Sequence, residues 1–174
     1  PISISGLLDT PAAGRYTLNG KEVANLDFFD RLRIRNQEIG LIFQSFSLIR
    51  DLSVAANIFL GRELRRGPFL DVRAMQARAA ALLAELETHV DPRDKVSSLS
   101  VPERQMIEIA KALVRDARVI VMDEPTAVLT ARESEVLFRQ IARLKAGGVA
   151  VLYTSHKLEE VKAIADLVTV LRDG

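Results

Sequence analysis

Val119-Ile-Val-Met-Asp123-Glu124-Pro-Thr126 is an apolar run that ends abruptly in two carboxylates. Its length and β-branched content, from Arg118 onward, predict a strand buried on both faces. Carboxylates at the carboxyl end of a parallel strand stand at the mouth of an α/β sheet, where ligands bind. Asp123 can hold magnesium there, because hard oxygen donors suit that ion. Glu124 can orient and deprotonate an attacking water. The plain alternative is a strand that simply leaves the core.

The flanking periodicity supports the sheet. Downstream, Thr130 to Lys145 reads as a helix capped by Thr130 and stopped by Gly147-Gly148. Val149 to Tyr153 is a second buried strand, Lys157 to Ala165 a helix and Leu167 to Leu171 a last strand. Strand, helix, strand, helix, strand with apolar strands predicts a parallel sheet covered on both faces. Upstream, a helix follows Ser100, with Ile107, Ala110, Lys111 and Val114 at helical spacing. Asp71 is placed to cap a helix running to about Val90, and Gly67-Pro68 before it is a break. Nearer the start, Gly40 to Phe43 is a short strand ending at Gln44. Leu26 to Asn36 reads as an amphipathic helix, and Gly14 to Val23, with Asn19-Gly20, as a hairpin.

Composition sets the bounds. The 174 residues fit one domain, and 48% hydrophobic with 27% charged residues describes an ordinary globular chain. A formal net charge of +1 and 5% aromatics argue against a nucleic-acid-binding face, so no nucleic acid is expected as a partner. Zero Cys excludes disulfides and thiolate metal sites; two histidines, His89 and His156, are too few for a histidine metal cluster. No stretch reaches the ~20 apolar residues of a membrane span.

Four motifs stand in order along the chain: Gln44 after its strand, Leu99-Ser100-Val101-Pro102-Glu103-Arg104-Gln105, then Asp123-Glu124, then Tyr153-Thr-Ser-His156. Their order and spacing resemble the ATP-binding cassette (ABC) ATPases, with Q-loop, signature, Walker B strand and switch histidine. The resemblance implies a P-loop NTPase fold: residues 1–44 and 116–174 as a core sheet subdomain and 45–115 as a helical subdomain. It implies ATP and Mg²⁺ as cofactors. Asp123 and Gln44 would hold magnesium, Glu124 would polarise the lytic water, and His156 would contact the γ-phosphate. Ser100 would reach a nucleotide held by the opposite subunit, and Gln44 would link the site to the transmembrane partner. Partners would be permease subunits and a second nucleotide-binding subunit, at the cytoplasmic side of the inner membrane. Each residue also has a plainer role open to it: Gln44 as a loop amide, His156 as the cap of the next helix, Ser100 in a capping box with Glu103.

Two branches of the family are represented. From about Ser53, runs such as Asn57-Ile-Phe-Leu-Gly-Arg-Glu63 and Ser155-His-Lys-Leu-Glu-Glu-Val161 resemble ATPases of monosaccharide importers. Residues 5 to 52, with Gly6-Leu-Leu-Asp-Thr-Pro11 and Arg33-Ile-Arg-Asn-Gln-Glu-Ile-Gly40, resemble the lipoprotein-release and macrolide-export branch. A composite chain with a seam near the Q-loop would explain the pair.

The Gly-x-x-x-x-Gly-Lys-Ser/Thr loop that cradles phosphates is not in the sequence. Gly14 to Gly20-Lys21 has five intervening residues, and Glu22 follows the lysine. The start at Pro1, the end at Gly174 and the missing loop together predict a fragment. Its sheet should lack the P-loop strand, leaving the strands ending at Tyr153 and starting at Leu167 without their shared neighbour. In the signature, Val101-Pro102 stand where the family prefers two glycines; proline has no N–H to donate, and Glu103 adds negative charge. The expected function is the ATP-hydrolysing subunit of a sugar-uptake transporter, inactive in this form. The alternatives are a non-catalytic ABC-fold interaction module, favoured by those gaps, and a soluble ABC ATPase acting on nucleic acid or ribosomes.

Overall fold

A computed structural model describes residues 17–18, 21–22, 26–27, 30, 39–42, 47–114 and 117–170. Within it, β1 (Thr17–Leu18) pairs antiparallel with β2 (Lys21–Glu22), the hairpin expected around Asn19-Gly20. The helix expected from Leu26 to Asn36 lies mostly outside the described residues.

The main sheet has three strands in the order β3 (Ile39–Ile42), β6 (Val119–Asp123), β7 (Ala150–Thr154). Both pairings are parallel: Ile42 lies opposite Met122, and Asp123 opposite Thr154. All three strands therefore run toward the same end of the sheet. β6 is central, with Ile120, Val121 and Met122 all buried, which is why its sequence is apolar without alternation.

Between β3 and β6 lie three helices: α1 (Val54–Ile58), α2 (Val72–Glu85) and α3 (Val101–Leu113). Asp71 caps α2 as expected, its carboxylate accepting from the Ala74 amide at 2.9 Å. The helix stops at Glu85 rather than near Val90, because Glu87 takes a positive φ of 52° and turns the chain. That turn sends Leu86 and Val90 into the core. The Gly67-Pro68 break is in fact a hairpin turn between β4 (Arg65–Arg66) and β5 (Phe69–Leu70), with Gly67 at φ +62°. Two residue pairs are too short for alternation to reveal.

A buried polar group anchors each end of this region. Asn57 is fully buried; its amide oxygen accepts from the Ile49 N–H at 2.7 Å, and its NH₂ donates to Ile49 O and Ser53 O, both at 3.0 Å. Glu108 and Lys111, both buried on α3, converge on Ser47. The Ser47 N–H and hydroxyl donate to Glu108, and the Lys111 ammonium donates to Ser47 Oγ at 3.1 Å. Such pairs hold only because each charge finds its partner. This one ties α3 to the segment that follows β3.

After β6 come α4 (Ala131–Ala146), β7 and α5 (Leu158–Ile164). Thr130 caps α4 in a reciprocal box with Glu133, and Gly147 ends it, as expected. Val136, Leu137 and Ile141 of α4 join α3 and β6 in one apolar core, where each fully buried aliphatic side chain contributes ~2 kcal/mol.

Two expectations fail beyond that point. Residues 167–170 form no strand; Leu167 and Val170 are almost fully exposed, and Leu171 lies outside the described residues. Nor is β7 covered on both faces among the described residues, since Ala150 and Leu152 are exposed. Among these residues, β7 is an edge of the sheet. Among the described residues, no helix is long and apolar enough to cross a membrane.

Candidate nucleotide site at the carboxyl end of the sheet

The parallel register delivers three of the expected residues to one place. Asp123 is the last residue of β6, and its Oδ1 accepts from Thr154 Oγ1 at 2.6 Å, across the pair that closes the β6–β7 ladder. Glu124 follows at φ +45°, a left-handed conformation that a Glu adopts only under constraint. Its amide donates to the Thr154 carbonyl at 3.1 Å, extending the ladder by one more bond. Its side chain turns to His156, with Oε1 3.2 Å from Nδ1. Glu124 is partly exposed and the His156 ring mostly so. The pair thus stands at the rim, open to an incoming group.

His156 is not the cap of α5: the cap is Lys157, without a side-chain bond. Ser100 belongs to a different arrangement. It caps α3 in the reciprocal box, its N–H and its hydroxyl both donating to Glu103 Oε2 at 2.7 Å. These two bonds, the hydroxyl first, hold the Glu103 carboxyl below its ordinary value against a small burial cost. Ser100 therefore takes no part in the hydrogen-bonded group formed by Asp123, Glu124 and His156. Gln44 lies outside the described residues, and so do its contacts.

The donor set suits a magnesium nucleotide in part. Asp123 and Glu124 offer hard oxygens at a strand end, and magnesium takes few protein ligands because substrate phosphates and water complete its shell. Among the described residues no cluster of three or more His, Cys, Asp or Glu could cage a metal unaided. Such a site would hold magnesium only jointly with phosphate.

Sequence reading missed two participants. Thr154 could be found only from the register that sets it opposite Asp123. Glu160, on α5, accepts at Oε2 from Thr126 Oγ1 and Tyr153 OH, both at 2.7 Å, and from Ser155 Oγ at 3.2 Å. Its Oε1 pairs with Lys157 Nζ at 3.0 Å. A charged helix residue gives no sequence sign that its side chain is nearly buried.

Comparison with known proteins shows which family and fold the chain shares. The chain matches the family described as ABC transporter over residues 3–127. It is 54% identical over 136 residues to a Burkholderia cenocepacia import ATP-binding protein named for ribose, galactose and methyl galactoside; the match covers 78% of this chain and 26% of that protein. It is 47% identical over 171 residues to an arabinose import ATP-binding protein of Burkholderia thailandensis, covering 98% and 32%. The chain spans about a third or less of these relatives' length. Among solved structures, a dimeric ATP-binding cassette in a post-hydrolysis state bound to ADP and Pi superposes with a TM-score of 0.78. It is 25% identical, and the match covers 91% of this chain and 69% of that one.

Proposed function

This chain belongs to the ABC transporter family, and from that premise we propose that it forms part of an ATP-hydrolysing subunit powering sugar uptake. The observation that carries the reading is the Glu124–His156 pair beside Asp123, at the carboxyl ends of adjacent parallel strands. Asp123, fixed by Thr154, would hold magnesium together with the phosphates. The bound ion would neutralise charge that develops on the transferring phosphoryl group. Glu124 would accept a proton from the attacking water, and His156 would hold the Glu124 carboxylate in place and face the terminal phosphate. Relatives named for ribose, galactose and arabinose import support a monosaccharide as cargo. Permease subunits and a second cassette would be the partners, at the cytoplasmic face of the membrane. Ser100 and Gln44 would act across those two interfaces, which is why Ser100 need not lie within the local group.

The 174-residue chain by itself would be inactive, because its sequence supplies no phosphate-cradling loop; phosphoryl transfer depends on positioning and charge stabilisation by that loop and the metal. Titration with ATP and Mg²⁺ should show no tight binding, and micromolar affinity would overturn this. The polypeptide as its gene encodes it should hydrolyse ATP. There, Glu124→Gln should keep nucleotide binding but slow phosphate release by about 10²-fold or more. Unchanged turnover would remove Glu124 from the chemistry.

One observation favours a second reading, a non-catalytic interaction module. The Glu103 carboxylate engages both the amide and the hydroxyl of Ser100, the groups a signature would offer to phosphate. Absence of hydrolysis in the gene-encoded polypeptide would establish that alternative.

A further inference from the structure

Glu160 gathers four donors from two stretches of chain. Thr126, two residues beyond Glu124 in the loop after β6, is buried and donates to Oε2 at 2.7 Å. Tyr153, near the end of β7, donates to the same oxygen at 2.7 Å. Ser155 and Lys157, the two neighbours of His156, bind Oε2 at 3.2 Å and Oε1 at 3.0 Å. The network closes on itself, since the Lys157 amide donates to Ser155 Oγ at 3.0 Å and Lys157 Nζ reaches Thr126 O at 3.4 Å.

We infer that Glu160 is a positioning residue: it clamps the chain on both sides of His156 to the loop that follows Glu124, and so holds imidazole and carboxylate within hydrogen-bond reach. The pair itself needs this help. Both partners stand at the rim, and their single 3.2 Å contact is too weak to fix an exposed and a partly exposed side chain against solvent. Burying a carboxylate is unfavourable unless donors satisfy it, and here they do. Burial alone would raise the Glu160 carboxyl; Thr126, Tyr153 and Lys157 outweigh it and hold the group below its ordinary value. Burial likewise pushes the Tyr153 phenol up, which keeps it a donor. An anionic hub ringed by donors is thus the stable state of this junction. The role rests on the proposed hydrolysis at Glu124 and His156, because that is the chemistry a fixed pair would serve.

The test has two arms. In the gene-encoded polypeptide assembled with its partners, Glu160→Ala should lower kcat for ATP hydrolysis by about tenfold or more, through misplacement of the pair. KM should stay within about twofold, the pattern of a group that acts only in the transition state. Glu160→Gln, whose amide oxygen still accepts, should recover most of the rate. Thr126→Val, of similar volume, should lower kcat in the same sense and decides the matter if Glu160→Ala does not fold. A kcat unchanged in Glu160→Ala and Thr126→Val overturns the inference, as does a loss that Glu160→Gln cannot rescue. In the second arm, nitrogen resonances of the two histidine rings are followed in this chain, without nucleotide. Glu160→Ala, or Thr126→Val if it does not fold, should shift those of His156 and leave His89 alone; unmoved His156 signals overturn the clamp. If the wild type hydrolyses no ATP, the proposed function falls while this second arm still decides on Glu160.

Discussion

Glu124 is the residue at which chemistry and conformational cost meet. Its φ of +45° belongs to the region that favours glycine, and a non-glycine residue there costs about 1–2 kcal/mol. The cost persists because the amide is needed to extend the ladder to Thr154 while the side chain must swing to His156. Glu124→Gly should therefore raise stability by about 1 kcal/mol while removing the carboxylate. Urea denaturation of variant and wild type checks this; a destabilised variant would mean that the Glu124–His156 contact outweighs the strain. The sequence marked Asp123 and Glu124 directly, because carboxylates after a buried strand are readable one by one, while His156 was marked only through the family resemblance. Thr154 and Glu160 were not readable, since their roles arise from partners distant along the chain.

At the scale of the element, capping rules decided most boundaries. Asp71, Ser100 and Thr130 each begin the helix that the sequence assigns to them, because their side chains satisfy amide groups that the first turn leaves open. Ser100→Ala should cost about 1 kcal/mol of stability. Its loss should also change the acid limb. The Glu103 carboxyl is depressed below 4.5 by the Ser100 hydroxyl and then its amide. A depressed carboxyl stabilises above its unfolded value, and that gain disappears as pH falls through the folded one. Melting temperature followed from pH 6 downward should thus fall less steeply in Ser100→Ala, about in proportion to the lost linkage. An identical slope would show that the box contributes nothing in solution. Where caps were absent, boundaries slipped: α2 ends early at a positive-φ Glu87, and the short β4–β5 hairpin gave no periodic signal.

For the whole molecule, the consequential feature is that β7 is an edge strand among the described residues. Leu152, Leu158, Leu167, Val168 and Val170 are all exposed in this part of the chain, Leu167 to 88%. Exposed strand edges and apolar clusters promote association. The 174-residue chain should accordingly self-associate with rising concentration, and Leu152→Lys combined with Val170→Lys should shift it toward monomer. Light scattering after size-exclusion chromatography reads both outcomes; a wild type that stays monomeric at all concentrations would contradict the expectation. The helical segment buries Phe59, Leu83, Leu86 and Met106, but exposes Phe69, Leu70 and Val72 at its β4–β5 hairpin and the start of α2.

By itself the sequence determined the α/β class, the helix starts at Asp71, Ser100 and Thr130, the strands at 119–123 and 150–154, and the two carboxylates that end the first of them. These are local properties, written in hydrophobic period, in capping residues and in the chemistry of single side chains. Only the tertiary structure decided which residues meet. Parallel register set Thr154 against Asp123, α5 brought Glu160 to Tyr153 and Thr126, and residues 167–170 took no strand conformation. The physical reason is that a strand is defined by its pairing: apolar alternation makes pairing favourable, but the hydrogen bonds that realise it belong to another part of the chain.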